Sequence, residues 1–580
     1  MARTNTLACM IVTSALVWGA SSVGFSQQEE PRRSGPRDWS HNRLVASRFG
    51  PDNDRNLAKN WRTLRKHLAI ESAQAERMRP RDFFELLRER LRALLAPVTT
   101  TTDDAKLDWN LRTGGFGPVV GYPAKYNFDI SASHCSDVTY FTVDHAGAAA
   151  TVNVIAITNP YAGCSGNAAG TTPTVKFGLR MGTGTATSAV PSLDGQTLYV
   201  FESRTIANGG VILHAINVNN IVSNVGTYNF GSTNWSNAHT LAAPTGLASS
   251  EQKFQLTYAG VFNNVSSPYL DYDTNQIFFG DSAGRIHRVT NVNSTAAAKD
   301  TTNFPVSCGT QALQSPVFVN GQVIVTSADG KLYRIDTTLP PPYACIAARQ
   351  AGEGTTAGAG GGLSAPMVDV TNNKILVTTN FDFDFSLRGI GAFNLMFAAG
   401  EASTSQALLG SAAGTLAPTA PAFDDQFWST NDGNLYAGGG MYTGTGTYLL
   451  RVPYTAGTLA ATAGYATLRR TGAAAAVATS PVTEFLTASS LANPDFIYVG
   501  GSGGTYNFMN RIASGFAGSN TTPVATANFF AASGGVTSGI VIDTRTTAMT
   551  GTTATANIYF GTVGVPSTTQ SQIIQLAQQF

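Results

Sequence analysis

Residues 314–336 read Gln-Ser-Pro-Val-Phe-Val-Asn-Gly-Gln-Val-Ile-Val-Thr-Ser-Ala-Asp-Gly-Lys-Leu-Tyr-Arg-Ile-Asp. Two alternating apolar runs, Val323 to Thr326 and Lys331 to Ile335, flank Ser327-Ala328-Asp329-Gly330, so the stretch predicts an antiparallel hairpin with an Asp-Gly turn. The run Ser315 to Val319, ended by Asn320-Gly321, adds a third short strand in front. The unit is a meander.

The same unit recurs eight times, with openings at Ser131-Ala132-Ser133, Ser188-Ala189-Val190-Pro191, Ser266-Ser267-Pro268, Ser315-Pro316, Ser364-Ala365-Pro366, Thr419-Ala420-Pro421, Ser480-Pro481 and Ser538-Gly539. Each opening precedes a β-rich run: Val138 to Val143, Thr197 to Phe201, Gln276 to Phe279, Gln322 to Val325, Lys374 to Thr378, Gln426 to Ser429, Asp495 to Val499 and Asn557 to Phe560. The openings lie roughly 50 to 80 residues apart, which suits four-stranded units separated by loops of variable length. Four-stranded units repeated about an axis make a β-propeller, so the expected fold is all-β: a single propeller of seven or eight four-stranded blades. The interval from Ser188 to Ser266 is irregular and leaves the blade number open. Lys106 to Arg112 reads as an outermost strand placed before the first repeat. It is free to complete the last blade and so join the two chain ends, which removes exposed sheet edges.

The unit at 315–336 resembles the repeat of quinoprotein-like (PQQ-like) propellers, a resemblance that runs at repeat level through about 470 residues. It implies the propeller fold and admits both enzymes and scaffolds. The quinoprotein dehydrogenases hold their cofactor against a disulfide between adjacent cysteines; this sequence has no adjacent pair, and no cofactor is expected. Residues 121–205, with Tyr122-Pro123-Ala124-Lys125-Tyr126-Asn127-Phe128, Cys135, Asn159-Pro160-Tyr161-Ala162-Gly163-Cys164 and Ser-Leu-Asp-Gly at 192–195, resemble secreted bacterial proteins of unknown function. That likeness implies export and supports a disulfide from Cys135 to Cys164.

The chain has 580 residues, 43% hydrophobic and 13% charged, with a formal net charge of +1. The charged share is about half the usual one for a soluble domain, and a near-neutral surface tolerates dense association. Nucleic acid is not an expected partner. Met1 to Ser26 carries Arg3, an apolar stretch from Leu7 to Val17 and small residues near Gly24-Phe25-Ser26, the pattern of a secretory signal peptide. No other apolar run reaches the length of a membrane span. The expected location is therefore outside the cytoplasm: extracellular, cell surface or periplasm. Of five cysteines, Cys9 falls in the leader. The remaining four favour two disulfides in an exported chain, Cys135 with Cys164 and Cys308 with Cys345, each pair bracketing about one repeat; four free thiols are the alternative.

Residues 27–103 form the expected N-terminal arm, and 104–580 the propeller. From Pro31 to Val98, 16 Arg and Lys face 8 Asp and Glu, a net of +8. Phe83, Phe84, Leu87, Leu91 and Leu94 fall on one face at helical spacing, with Glu85, Arg88, Glu89 and Arg92 away from it. The arm is therefore expected to be partly helical, a polar stretch rich in Arg and Pro followed by helical segments over Asn56 to Met78 and from Asp82 to before Pro97. Its apolar face would cover part of the propeller or dock on a protein or envelope component, including another copy of the chain.

Candidate chemistry is sparse. Gly280-Asp281-Ser282-Ala283-Gly284 and Gly500-Gly501-Ser502-Gly503-Gly504 both satisfy GxSxG, but an elbow needs a strand leading into a helix and both sit at hairpin turns. His287 lies in an alternating strand and reads as a satisfied strand residue, and His134 has no second ligand in tight spacing. Asp271 with Asp273, and Asp382 with Asp384, are oxygen-rich turns of the kind calcium uses, without the Gly and distal Glu of a calcium loop. They are weak metal candidates, and ordinary loop chemistry explains them. No catalytic set converges in the sequence. The reading is an exported, non-catalytic structural or binding propeller; the alternatives are an oxidoreductase or hydrolase with its site in the axial channel, or a binder using exposed aromatics such as Trp235, Tyr442 or Tyr506.

Overall fold

The computed structural model describes residues 35–37 and 44–45 and, from 106 to 579, the strands with most of the turns between them; 265–348 is described without a break. Outside the described residues are 1–34, 38–43, 46–105 and the longer loops, such as 144–151, 222–238, 349–362, 412–418, 468–478 and 514–524.

The described residues form eight sheets of four to six strands, arranged along the chain in the order of the repeats. The fourth sheet shows the pattern most plainly. Its strands Val317–Val319, Gln322–Thr326, Leu332–Asp336 and Cys345–Ala347 pair in sequence order, all antiparallel. The first turn is Asn320-Gly321, with φ values of 50° and 77°. Two successive left-handed residues make the hairpin turn whose twist matches the strands, and Asn-Gly is the pair that tolerates it best. The second turn ends on Gly330, at φ 78°.

The second strands explain why the sequence reads as apolar runs and not as clean alternation. Val138–Thr142, Thr197–Ser203 and Gln322–Thr326 are buried along their whole length. A strand loses its polar face when its sheet is covered on both sides, and here the sheets share cores with their neighbours along the chain. Tyr126, Tyr140 and Phe177 of the first sheet share a core with Leu198, Val200 and Ile216 of the second. One continuous core links the second to the fifth: Phe201, Phe279, Ile324 and Ile375 each come from a different sheet. Leu376 and Ile390 of the fifth pack with Leu435 and Val452 of the sixth, and Tyr436 and Leu449 of the sixth with Ile497 and Val499 of the seventh. The seventh meets the eighth where the Thr483 hydroxyl donates to Ile540 O at 3.2 Å. Each large apolar side chain buried this way contributes about 1.5–3 kcal/mol.

The chain ends meet as the sequence predicts. Lys106–Arg112 pairs antiparallel with Gln572–Gln579, completing the eighth sheet beyond Val541–Arg545 and Thr555–Gly561. Trp109, Leu111, Tyr559 and Ile573 of that sheet then share a core with Phe141, Ile155 and Ile157 of the first. The eighth sheet thus packs on the first.

One expectation needs correction. Gln426 to Ser429, read as a strand, is not one: Gln426 and Phe427 lie in a helical turn, and the strand is Asp432–Gly440. Asp424 holds the inserted turn, its Oδ1 accepting Phe427 N at 3.2 Å and Asn434 N at 3.0 Å. Phe427 stacks on Phe423 with ring centroids 3.9 Å apart, so its hydrophobicity serves the turn. The segments expected to be helical lie outside the described residues, and the polar stretch before them contributes two short strands. Gly35–Arg37 pairs with Ala124–Asn127 at the edge of the first sheet, and Leu44–Val45 with Met367–Asp369 at the edge of the fifth.

The recurrent hydroxyl residue at the openings has a structural cause. Ser266, Ser364, Ser480 and Ser538 each donate their backbone N–H to a residue on the second strand (Gly280, Thr378, Gly500 and Gly561) and accept that residue's N–H on the side-chain oxygen, all at 2.7–3.0 Å. The hydroxyl stands in for a carbonyl where the backbone has left the ladder. In the second repeat Thr187 and not Ser188 does this, opposite Phe201.

Candidate functional site

The chemistry-bearing side chains that the fold brings together sit inside and between sheets. The most elaborate set lies where the first and eighth sheets meet. Lys125, on Ala124–Asn127, alternates with Tyr126, so the two side chains point to opposite faces of a sheet that is covered on both. Lys125 is 0% exposed, as is Asp137 at the start of the neighbouring strand. The Lys125 ammonium lies 3.4 Å from Asp137 Oδ2, and the Tyr161 hydroxyl donates to the same oxygen at 2.6 Å while accepting from Lys125. The ammonium also lies 4.8 Å from the Tyr161 ring centroid and 5.6 Å from that of Tyr559, which belongs to the eighth sheet. Trp109, on the strand contributed by the chain's beginning, donates its indole N–H to Pro160 O at 3.4 Å. Tyr161 is brought round by Asn159, at φ 52°, whose N–H donates to Cys135 O at 2.9 Å.

A buried ammonium and carboxylate each cost several kcal/mol in lost hydration, and attraction offsets this only when further hydrogen bonds complete the geometry. The Tyr161 hydroxyl and the two rings provide them here. The set lies within the first sheet and meets the eighth where the ammonium faces the Tyr559 ring and Trp109 donates to Pro160 O, a contact termed the latch below.

Two further clusters are confined to single sheets. In the second, His214 Nε2 is 3.1 Å from Glu202 Oε2 and Nδ1 is 2.8 Å from Gln252 Oε1, while Glu202 Oε1 accepts Gly184 N at 2.9 Å. In the third, Asp281 Oδ2 accepts Arg285 Nε at 2.7 Å and His287 Nε2 at 2.8 Å, and Oδ1 accepts the backbone N–H groups of Ala283 and Arg285. Burial pushes the Asp281 carboxyl up, but the hydrogen bonds from His287 and the Arg285 backbone and their positive charge outweigh it. The carboxyl ends below its ordinary value. His287 stacks on Phe279 at 4.8 Å and meets Tyr258 edge-on at 5.6 Å. The GxSxG at 280–284 is therefore a hairpin turn organised by its aspartate, and His287 is a satisfied strand residue.

At the junction of the fifth and sixth sheets, Asp369 accepts Tyr454 OH at 2.7 Å, Asn372 Nδ2 at 2.6 Å and the N–H groups of Thr371 and Asn372. Burial raises its carboxyl above the ordinary value despite these bonds from Asn372 and Tyr454.

The residues singled out in sequence are placed as follows. The structure joins Cys308 to Cys345, with an S–S length of 1.98 Å and Cα atoms 5.2 Å apart, stapling the third sheet to the outer strand of the fourth. A bridge across 37 residues contributes about 4 kcal/mol through the unfolded chain. Cys135 is disulfide-bonded, and Cys164 lies outside the described residues. Asp271 is buried, its carboxylate accepting Thr274 N at 3.1 Å and the Thr274 hydroxyl, so it shapes the turn; Asp273 is exposed. Among the described residues no group of three or more His, Cys, Asp and Glu is placed to hold a metal ion. Asp382 and Asp384, Phe83, Phe84, Leu87, Leu91 and Leu94, and Trp235 and Tyr442 lie outside the described residues, and Tyr506 is described only as part of a strand backbone.

The chain matches no protein-family model and none of the curated proteins. Among solved structures it is similar to Sqt1 of Saccharomyces cerevisiae, at 9% identity over 83% of this chain and 100% of that one, with a TM-score of 0.43. It is also similar to the Dos1 propeller, at 8% identity over 82% and 95% with a TM-score of 0.38, and to BamB from Moraxella catarrhalis, at 14% identity over 58% and 92% with a TM-score of 0.28.

Proposed function

We propose that residues 104–580 form an eight-bladed β-propeller closed by pairing of head with tail, exported by a leader at 1–26, and that it acts by binding and assembly rather than by catalysis. The observation that carries this reading is the pairing of Lys106–Arg112 with Gln572–Gln579 in a sheet that shares a core with the first. Such a ring is a stiff frame whose loops are presented at two faces, and binding sites on rigid scaffolds are disproportionately built from loops. The low charge of the chain favours close association, and the basic segment with Phe83, Phe84, Leu87, Leu91 and Leu94 supplies an apolar docking face for a protein or envelope partner, a second copy included. PQQ-like repeats are the subclass that the Ser-Pro openings support.

The experiment is negative-stain microscopy and light scattering on the exported protein with and without residues 80–96. Oligomers or filaments that vanish on this deletion are the expected result. A strictly monomeric full chain at high concentration overturns self-assembly through the arm.

A further inference from the structure

Lys125 stands opposite Thr139 on the neighbouring strand of the first sheet, and Asp137 lies two residues before Thr139. The two side chains therefore share one face of the sheet as a diagonal pair. Both are 0% exposed. Their contact is bridged in a way that an ordinary ion pair is not. The Tyr161 hydroxyl accepts a hydrogen bond from Lys125 Nζ and donates one to Asp137 Oδ2 at 2.6 Å, while Nζ itself lies 3.4 Å from that same oxygen. One hydroxyl thus links the nitrogen to the oxygen, with its own proton directed at the carboxylate.

The bridge is held in place from the backbone. Cys135 O accepts the Asn159 N–H at 2.9 Å and the Thr158 hydroxyl at 3.0 Å. Those bonds tie the start of the turn that carries Tyr161 to the residues just before Asp137. Cys135 is itself disulfide-bonded, which fixes this corner further.

A lysine nitrogen held beside a carboxyl group in a buried site has one reaction open to it that needs no added reactant, condensation to an amide. Fixed geometry replaces a bimolecular encounter, and a lysine amine removed from water is a nucleophile. We propose that Lys125 Nζ and Asp137 Cγ become joined by an isopeptide bond in the folded chain, with the Tyr161 hydroxyl as proton relay.

The ion pair is the form from which the bond is made. Tyr161 first takes a proton from the ammonium and passes its own to Oδ2, leaving an amine and a carboxylic acid. The amine lone pair then attacks Cγ, and a second proton travels from Nζ through the same hydroxyl to Oδ2. The Cγ–Oδ2 bond breaks and Oδ2 departs as water, while Oδ1 remains as the amide carbonyl. Ammonium and carboxylate become amide and water, with nothing oxidised or reduced and Tyr161 returned to its starting state. Full burial then keeps bulk water from the amide. The bond lies within the first sheet, so it does not depend on how the eight sheets are arranged.

The test is a tryptic map of the full chain, denatured and with its disulfides reduced. Trypsin cuts after Lys125 only when its side chain is free, and 113–175 holds no other Lys or Arg. The expected product is a single peptide, 113–176, lighter than its sequence by one water and giving no backbone fragments between 125 and 137. Peptides 113–125 and 126–176 at their full sequence masses overturn the bond. Lys125→Arg and Asp137→Ala are each expected to abolish the mass loss; a loss that survives either change places the link elsewhere and overturns the assignment. Tyr161→Phe keeps the ring and removes the relay. In chains sampled at intervals after refolding it is expected to slow appearance of the linked peptide by about a hundredfold or more. A linked peptide that appears as fast as in the parent overturns the role of Tyr161.

Discussion

The junction of the second and third sheets and that of the eighth and first do the same job by different means. Between the second and third the chain runs on from one sheet to the next, and the interface is aromatic and aliphatic: Phe201 meets Phe279 at 4.4 Å, with Val190, Tyr269 and Ile277 around them. Its buried polar contacts include neutral hydroxyls reaching across to backbone carbonyls, Tyr199 to Val292 O at 2.7 Å and Tyr272 to Pro191 O at 2.9 Å, while the more exposed Lys253 and Lys299 ammoniums donate across it to Asn293 O and Thr257 O. Between the eighth and first sheets the apolar core around Trp109 and Tyr559 is bordered on the first sheet's side by a buried Lys125–Asp137–Tyr161 set, whose ammonium faces the Tyr559 ring at 5.6 Å. Hydrophobic burial is non-directional. Where the connection already dictates which sheets meet, burial suffices; where the two chain ends must find each other, a fixed arrangement of charges adds geometry that burial does not specify.

The largest effect is expected at the charged latch. Asp137→Ala removes the carboxylate beside the buried Lys125 ammonium, and removing one partner of a buried pair costs about 3–5 kcal/mol. Urea unfolding followed by tryptophan fluorescence should show that loss, with hydrogen exchange at 106–112 and 572–579 accelerating first. Replacing both charges, Lys125→Met with Asp137→Leu, should recover most of the stability, because an apolar pair of similar volume is commonly neutral or better. A loss under about 1 kcal/mol for Asp137→Ala would mean that the apolar core alone holds the chain ends together.

A smaller effect is expected at the consecutive junction. Tyr199→Phe removes one neutral hydrogen bond to Val292 O and leaves the ring in place, so it should cost about 1 kcal/mol, up to about 3 kcal/mol if the carbonyl is left unpaired. If the same unfolding assay gives a cost equal to that of Asp137→Ala, the contrast between the two junctions is lost.

How far these features were legible in the sequence depends on their range. The hairpins were readable because their causes are local: Asn320-Gly321 and Asp329-Gly330 carry their own turn geometry. The joining of the ends was readable because Lys106 to Arg112 is a strand with no repeat of its own to belong to. The Gln426 to Ser429 run was misread because Phe427 looks alike in a strand and in a turn held by Asp424, a side chain whose partner Asn434 lies ten residues on. The latch was present in the motif around Lys125, Cys135 and Asn159-Pro160-Tyr161, but its chemistry was not read. The cue was available: in a sheet covered on both faces, an inward Lys125 beside an inward Tyr126 must have a buried acid, and Asp137 begins the next strand. That the partner's hydroxyl would come from Tyr161, by way of a left-handed Asn159, depends on tertiary geometry that the pattern does not encode.

The third and smallest test turns on two buried aspartates of opposite electrostatic character. Asp281 is buried, yet the bonds and charge from His287 and Arg285 bring its carboxyl below the ordinary value. A depressed carboxyl contributes stability that is complete above its unfolded value, about 3.9, and is lost as the pH falls through its folded value. Asp369 is raised, because burial outweighs the hydrogen bonds from neutral partners. Its native form binds a proton more readily than the unfolded chain does, so its contribution is greatest at low pH and is lost as the pH rises through the folded value. Stability measured by urea at pH 3 to 7 for Asp281→Asn and Asp369→Asn against the parent should give differences of order 1 kcal/mol with opposite pH slopes. The deficit of Asp281→Asn should shrink as the solution is acidified, and that of Asp369→Asn should shrink as it is made neutral. Slopes of the same sign would mean that the positive charge beside Asp281 does not outweigh its burial, and that charge pairing and plain hydrogen bonding act alike in these sheets.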